Sequence, residues 1–334
     1  MPRRPPADII RTWSAATTAI SLVALTALAV PGATLAAGGL SAPDPALVRA
    51  LLADSALPLV PYAPLTGPAT GGETLSPAQR DDLSARIGAL ADEHPADFAV
   101  AVQDLRTGAT FSHDAHEQFP TASVSKLTIL TLLLLRAEEE GRQLTASEEA
   151  RVEEMIRYSD NEVTDGLYAG IGFTDGFAGG VRTLGFTNTD PDPHGVWGAT
   201  MTTAADQMRL LRVLYVDEGP LSAESRAYVR GLMESVAPEQ AWGVSASADP
   251  GDTVGLKNGW TPREGNGGLW TINTVGYVSG PGHEYLIAVL SDGHHDYATG
   301  VALVEEVCGT VTEAMEDARG VGGGVPADVE DIAR

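Results

Sequence analysis

The pattern of apolar and polar positions changes period along this chain, and the changes separate strand-forming ends from a helical middle. Ser76 followed by Pro77 marks a helix start, because proline fits the first turn, and the helix runs to about Ala91. Alternating positions in Phe98–Asp104 and Thr110–Asp114 predict two strands joined by the turn Arg106-Thr107-Gly108. From Thr121 the spacing becomes helical. Leu127, Ile129, Leu130 and Leu132–Leu135 make this segment apolar nearly all round until Gly141, which predicts a helix at the centre of the domain. Further helices are predicted at 146–157, 162–170, 175–184, 202–216 and 222–234. The period returns to two at Thr253–Lys257, Leu269–Val278 and Tyr285–Ser291, before a closing helix over Tyr297–Ala318. Strands at both ends and helices between them predict an α+β fold, with one sheet closed by pairing across the chain and an all-helical insertion.

The two ends of the chain lack these periods. Arg3, Arg4 and Arg11 precede an uncharged stretch from Trp13 to Val30, and Leu35-Ala36-Ala37 follow. Basic region, short apolar region and small residues in this order predict a secretory signal over 1–37, with an uncleaved membrane anchor as the alternative. No cysteine follows the apolar stretch, so a lipid anchor there is not expected. Residues 38–75, rich in Pro, Ala, Gly and Leu, read as a linker. The folded domain is expected over 76–318, and the Gly-rich, acidic residues 319–334 read as a flexible tail. The protein is therefore expected to be secreted or otherwise extracytoplasmic.

Charge and cysteine content narrow the partners. A formal net charge of −24 argues against nucleic acid and anionic membrane surfaces. The single cysteine, Cys308, excludes an intrachain disulfide. It falls in the apolar stripe Val301, Val304, Val307, Cys308, Val311, where a small buried hydrophobe is expected. No metal-binding spacing such as His-Glu-x-x-His occurs, so neither a metal nor a cofactor is expected. His294-His295-Asp296 reads as a turn and helix cap.

Three short motifs carry the candidate chemistry. Ser123-Val124-Ser125-Lys126 opens the central helix, Ser159-Asp160-Asn161 lies between two helices, and Lys257-Asn258-Gly259 ends a predicted strand. A serine hydroxyl becomes nucleophilic only when a neighbouring base takes its proton. Positions i and i+3 share a helix face, so Lys126 is within reach of Ser123. A partly dry site lowers the proton affinity of a lysine enough for it to act as that base. A helix N-terminus aims free N–H groups at a developing oxyanion. Ser159 can relay a proton to the leaving group, and Lys257 can hold that relay and attract a substrate carboxylate. Of the 21 basic residues in the chain, only Lys126 and Lys257 are lysines. Every other one is arginine, which cannot deprotonate.

These motifs, in this order, resemble the class A β-lactamases and low-molecular-weight penicillin-binding proteins. The resemblance spans roughly Ser76 to Ala318, including the approach Phe119-Pro120-Thr121-Ala122. It implies an antiparallel sheet flanked by helices, with the site between sheet and helical insertion. By resemblance, Ser123 is the nucleophile and Lys126 the general base, with Ser159 and Lys257 beside them. Asn161, Asn258 and Gly259 then shape the substrate cleft, and the N–H groups of Ser123 and Trp260 form the oxyanion hole. The implied substrate is a β-lactam or a peptidoglycan peptide of the D-Ala-D-Ala type, taken up by a monomer. An inert or slow binding relative and an esterase or amidase remain as alternatives.

The sequence departs from that family in three places. Asn258 stands where the family has Thr or Ser. No arginine in Leu269–Val278 or Val236–Val244 replaces the family's carboxylate-binding arginine, which leaves Arg263 as a candidate. Class A enzymes carry a glutamate before Thr202-Thr203 that activates the deacylating water. Here the segment reads Thr187-Asn188-Thr189-Asp190-Pro191-Asp192-Pro193-His194-Gly195. Asp190, Asp192 and His194 are either substitutes for that base or loop-forming residues. Slow turnover is the resulting expectation.

Overall fold

A computed structural model describes residues 75–216 and 219–322. The expected signal segment, all of the linker except Leu75, and residues 323–334 lie outside these. Helix α1 (Pro77–Glu93) begins at Ser76, whose hydroxyl accepts from Gln79 N while the Gln79 side chain reaches back to Ser76 N. Strands β1 (Asp97–Asp104) and β2 (Thr110–His113) follow. Next come the two-residue strand β3 (Phe119–Pro120), a 3₁₀ turn (Ala122–Val124) and helix α2 (Ser125–Glu139). The helical insertion is α3 (Ala146–Arg157), α4 (Asn161–Gly170) and α5 (Phe173–Thr183). Strand β4 (Met201–Thr202) pairs with β3, and α6 (Ala204–Tyr215) and α7 (Ala223–Met233) lead back to the sheet. Strands β5 (Thr253–Arg263), β6 (Leu269–Gly280) and β7 (His283–Asp292), then α8 (Tyr297–Gly322), complete the order.

The five long strands form one antiparallel sheet in the order β2-β1-β7-β6-β5. Pairing of β1 with β7, from Asp97 opposite Asp292 to Asp104 opposite Tyr285, closes the sheet across the chain. Side chains alternate between two cores. Phe98, Val100 and Val102 meet α1 and α8, while Ala99 and Ala101 face the helical body. The alanines leave room on that side for α2, whose residues Ser125 to Leu135 are all buried. Removing one of these leucines would cost about 2–5 kcal/mol. The stripe on α8, Cys308 included, is buried as its spacing predicts, and burial pushes the Cys308 thiol up from its ordinary pKa.

Two expectations need correction here. The Lys-Asn-Gly motif lies in the middle of β5, not at its end, because pairing with β6 continues to Arg263 opposite Leu269. Pro262 is tolerated there since β5 is an edge strand with one unpaired side. Helix α8 continues past Ala318 to Gly322, into the expected tail. The pair β3–β4 and the 3₁₀ turns Pro238–Gln240 and Gly243–Ser247 had no sequence signal, since such short pieces show no period.

Candidate active site

The backbone just before Ser123 is bent and held from three sides. Ala122 sits at φ 44°, in the left-handed region that a residue with a Cβ seldom occupies. Thr121 N donates to Thr200 O at 2.8 Å, and the Thr121 hydroxyl reaches Trp197 O at 3.3 Å. From β6, buried Asn273 donates to Pro120 O at 2.8 Å and Thr121 O at 3.1 Å, while its carbonyl accepts from Ser291 N. Ser125 closes the turn with a hydrogen bond to Ala122 O. Ser123 is thus presented at the start of α2, partly exposed, with no hydrogen-bond partner for its hydroxyl among the described residues.

One turn along, Lys126 is fully buried. Its ammonium donates to Ser159 O at 2.6 Å, Ser159 Oγ at 3.1 Å and Asn161 Oδ1 at 2.7 Å. The expected reach toward Ser123 is therefore turned toward Ser159 and Asn161 instead. Because a lysine only donates, the Asn161 carbonyl must face it, leaving the amide NH₂ for other partners. The Trp197 ring covers Lys126 at 4.9 Å from the ring centroid and is itself anchored by Nε1 to Asp165 Oδ1 at 2.8 Å. Burial, then the charge of Lys257, hold the Lys126 pKa well below the ordinary lysine range, against the opposing pull of Asp160 and Asp165.

Lys257 comes from β5 and is also fully buried. It donates to Ser159 Oγ at 3.0 Å and Asn258 O at 2.9 Å, and burial lowers its pKa to about 7. Ser159 Oγ thus lies between two lysines. With both of its lone pairs taken by N–H donors, its own proton is free to point into the cleft. Ser159 also has a left-handed backbone, φ 59°, so the turn that delivers it is strained. Asp160 caps α4 by accepting from Val163 N at 3.0 Å, the anchoring role expected for it.

Gly259 fixes how closely β5 approaches the nucleophile. A Cβ there would lie 2.8 Å from Ser123 N and Thr121 O, so any other residue would force the strand away from the Ser123 turn. Trp260 packs its ring on the opposite side of β5, edge-on to Trp242 at 5.8 Å, which leaves its backbone as the part nearest the cleft. Asn258 requires correction as a substrate-binding side chain. Its residue is 1% exposed, and its NH₂ donates to Gln240 O at 2.8 Å and Trp242 O at 3.0 Å. Strand alternation turns it away from Lys257 and Gly259, so it pins the 3₁₀ segments to β5.

The segment from Thr187 to Ala199 is tied down by its own side chains and by Asp206 and Gln118 from outside it. Buried Asp206 of α6 accepts from Thr187 N, Asn188 N and Thr189 Oγ1. Asp190 accepts from Gln118 Nε2 at 2.7 Å. Asp192 accepts from His194 N at 2.9 Å and Val196 N at 3.1 Å, and His194 is exposed. Arg263 pairs with Asp292 at 2.7 Å. Asp296 caps α8 through Thr299 N, and His294 is buried against Ser291 Oγ. Asp249, Asp252 and His283 bring possible metal-ligand atoms within 4.8 Å of one another, with Asp252 already paired to His283 Nε2 at 2.7 Å. Among the described residues no helix is long and apolar enough to cross a membrane.

Trp197, Asp165 and Asn273 are site-shaping residues that the sequence did not disclose. Asn273 had the one usable signal, a buried amide inside an apolar strand. The other two act across long sequence separations.

A sheet closed across the chain, a helical insertion and a serine–lysine cleft between them define the β-lactamase/transpeptidase-like fold. The chain belongs to the beta-lactamase enzyme family, whose profile matches residues 82–154 and 145–315, more than half of its length. A candidate lipoprotein of Mycobacterium tuberculosis, LppW, is 28% identical over 262 residues, covering 75% of this chain and 79% of its own. A β-lactamase of Streptomyces cellulosae is 37% identical over 101 residues, covering 30% of this chain and 29% of its own. Among solved structures, PBP-A superposes with a TM-score of 0.62 at 20% identity, over 74% of this chain and 98% of that one. A PBP-A variant captured as its acyl-enzyme with penicillin G superposes equally well, at 0.62 and 22% identity, over 74% of this chain and 99% of that one.

Proposed function

We propose that this protein is an exported serine hydrolase that works by acyl transfer through Ser123. The observation that carries this reading is one hydroxyl, Ser159 Oγ, hydrogen-bonded by two buried lysines beside a serine at a helix start. Lys126 is the general base: in its uncharged form, which burial favours over the ordinary lysine, it takes the Ser123 proton as Oγ adds to the substrate carbonyl. The N–H groups of Ser123 and Trp260 receive the oxyanion. As the carbon–leaving-group bond breaks, Ser159 gives its proton to the departing atom and regains one from the Lys126 ammonium. Lys257 holds Ser159 throughout, and Asn161 offers its NH₂ to the acyl chain.

β-Lactams and D-Ala-D-Ala-like cell-wall peptides are the acyl donors in this reading, in keeping with the relatives named above. Hydrolysis of the acyl-enzyme is slow. No carboxylate of the 187–199 segment serves as base, since Asp190 and Asp192 are engaged by a side chain and loop amides, and Trp197 covers Lys126. The basic and apolar start of the chain supports export through 1–37, with 38–75 as a linker to a domain that acts as a monomer. An esterase or amidase with another small substrate is the second reading, favoured by the spent amide of Asn258.

The test is covalent labelling. A fluorescent penicillin should label the protein and leave an adduct visible by intact-mass spectrometry, and Ser123→Ala should abolish both. Persistent labelling of Ser123→Ala would overturn the nucleophile. Fast hydrolysis with no adduct would overturn slow deacylation alone.

A further inference from the structure

A base that takes a proton becomes a cation, and a dry site that favours the neutral base opposes that step. Lys126 stands in such a site. Its Nζ donates to Ser159 O, Ser159 Oγ and Asn161 Oδ1, all of them uncharged acceptors. Helix α2 brings no other charge to this turn, since Lys126 is the one charged residue from Ser125 to Leu135. From β5, Lys257 sets a second positive charge on the same Ser159 Oγ. Asp160, at the start of α4, spends its carboxylate on Val163 N. The ammonium that forms on Lys126 therefore has no carboxylate among its hydrogen-bond partners in the described residues.

Two residues supply what the hydrogen bonds do not. The Trp197 ring lies over Nζ, 4.9 Å from its centroid, within the roughly 6 Å at which the negative face of an indole attracts a cation. Trp197 is buried, so water screens this contact little. Its Nε1–H is donated to Asp165 Oδ1 at 2.8 Å, which holds the ring in place and sets a carboxylate behind it. Asn161 and Asp165 lie four residues apart on α4 and share a face. That face meets Lys126 directly through Asn161 and indirectly through Asp165 and Trp197. Burial and then Lys257 disfavour the charged form of Lys126, while Asp160 and Asp165 favour it.

Resting on the acyl-transfer reading above, we propose that Trp197 and Asp165 form a positioning pair for the general base, supporting the ammonium that forms on Lys126 as the Ser123 proton arrives. In that step the Ser123 O–H bond breaks, its electron pair forms the bond from Oγ to the acyl carbon, and the proton adds to the Lys126 lone pair. Neither Trp197 nor Asp165 exchanges a proton. The ring face and the carboxylate behind it favour the cationic product over the neutral amine. At any pH where the amine is neutral, the more basic lysine takes the proton faster.

The pH profile of acylation tests this, because a purely structural role would not move it. Labelling by a fluorescent penicillin is followed by stopped flow from pH 5 to 9.5 for wild type, Trp197→Leu, Trp197→Phe and Asp165→Asn. The limb on which rate is lost as pH falls marks protonation of the base. Trp197→Leu removes the ring face, so that limb should move to lower pH by about half a unit to one unit, and the plateau rate should fall about two- to fivefold. Trp197→Phe keeps a ring face and should recover about half of the shift or more. Asp165→Asn keeps an acceptor for the indole N–H and removes only the charge. Because Asp165 is exposed, its shift should be smaller, in the same direction, and should fade in roughly 1 M salt. As a surface helix position it also carries the test if Trp197→Leu fails to fold. A limb set by Lys257, which titrates at about 7, would stay in place. An unmoved limb in these variants, whatever their rates, or a limb moved to higher pH overturns this inference and leaves the acyl-transfer reading intact. Failure of wild type to take up label at any pH overturns the acyl-transfer reading itself, and this inference with it.

Discussion

The turn from Phe119 to Val124 and the loop from Thr187 to Ala199 touch through Thr121 and Trp197, yet they distribute their polar groups differently. The turn is strained at Ala122 and held by groups from β6 and from the loop itself, so that Ser123 is left without a competing partner. The loop spends its carboxylates on neighbouring N–H groups. Asp192 serves two loop amides and Asp190 serves Gln118. Acyl transfer has two halves, attack by serine and attack by water, and each needs a base. On the proposed reading, Ser123, Lys126 and Ser159 furnish the first half. For the second, Asp190 and Asp192 are both engaged by N–H donors, and an indole lies over Lys126.

The largest effect expected on this comparison comes from Lys126→Arg. Guanidinium keeps the charge but cannot accept a proton at any workable pH. The acylation rate should fall about 10²–10⁴-fold, the worth of a general base. Stopped-flow labelling with a fluorescent penicillin measures it. An unchanged rate would move the base away from Lys126 and leave the first half as unexplained as the second.

Much of the first half was legible in the sequence because it is written in short spacings. Ser123 and Lys126 lie three residues apart, and two lysines in a chain that otherwise uses arginine draw the eye to Lys257. The helix centre was legible for a similar reason, since Leu127 to Leu135 has no polar face. What escaped depends on contacts distant in sequence. Trp197 meets Lys126, and Asn273 meets Thr121, only after the sheet has closed. Asn258 was misjudged because its position in a motif gives no direction. Strand alternation, once β5 was known to continue past it, settles the matter.

A second prediction concerns the pH dependence of stability, which reports how dry the first half is. Lys257 has a folded pKa of about 7 against 10.5 in the unfolded chain. Between these values the unfolded chain binds more protons than the folded one, so stability rises with pH and the gain is complete only above the unfolded pKa. One such lysine contributes a slope of up to about 1.4 kcal/mol per pH unit in that window. Lys126, shifted in the same direction, adds to it. Urea unfolding of wild type and Lys257→Met at pH 7.5, 8.5 and 9.5 gives, as a difference in slope, the Lys257 part together with its coupling to Lys126. A Lys257→Met protein with the same slope as wild type would mean that Lys257 is hydrated and not in a dry site.

The smallest effect should come from the loop. If Asp192 and His194 are structural, replacing either with alanine removes no base and leaves the deacylation rate within about twofold of wild type. Asp192→Ala should still weaken the loop, because two amides lose the carboxylate that bridges them. A hydrogen bond to a charged group contributes about 1.5–3 kcal/mol, and amides near the surface recover part of that from water, so a loss of about 1 kcal/mol in unfolding free energy is expected. His194→Ala should cost less, since its side chain is exposed and only its backbone N–H bonds Asp192. The decay of the isolated penicillin adduct, followed by intact mass for wild type and both variants, separates the possibilities. A tenfold slower decay in Asp192→Ala would show that this carboxylate leaves its amides during turnover and acts on water. The loop would then belong with the nucleophile turn as catalytic machinery, and the contrast between the two segments would disappear.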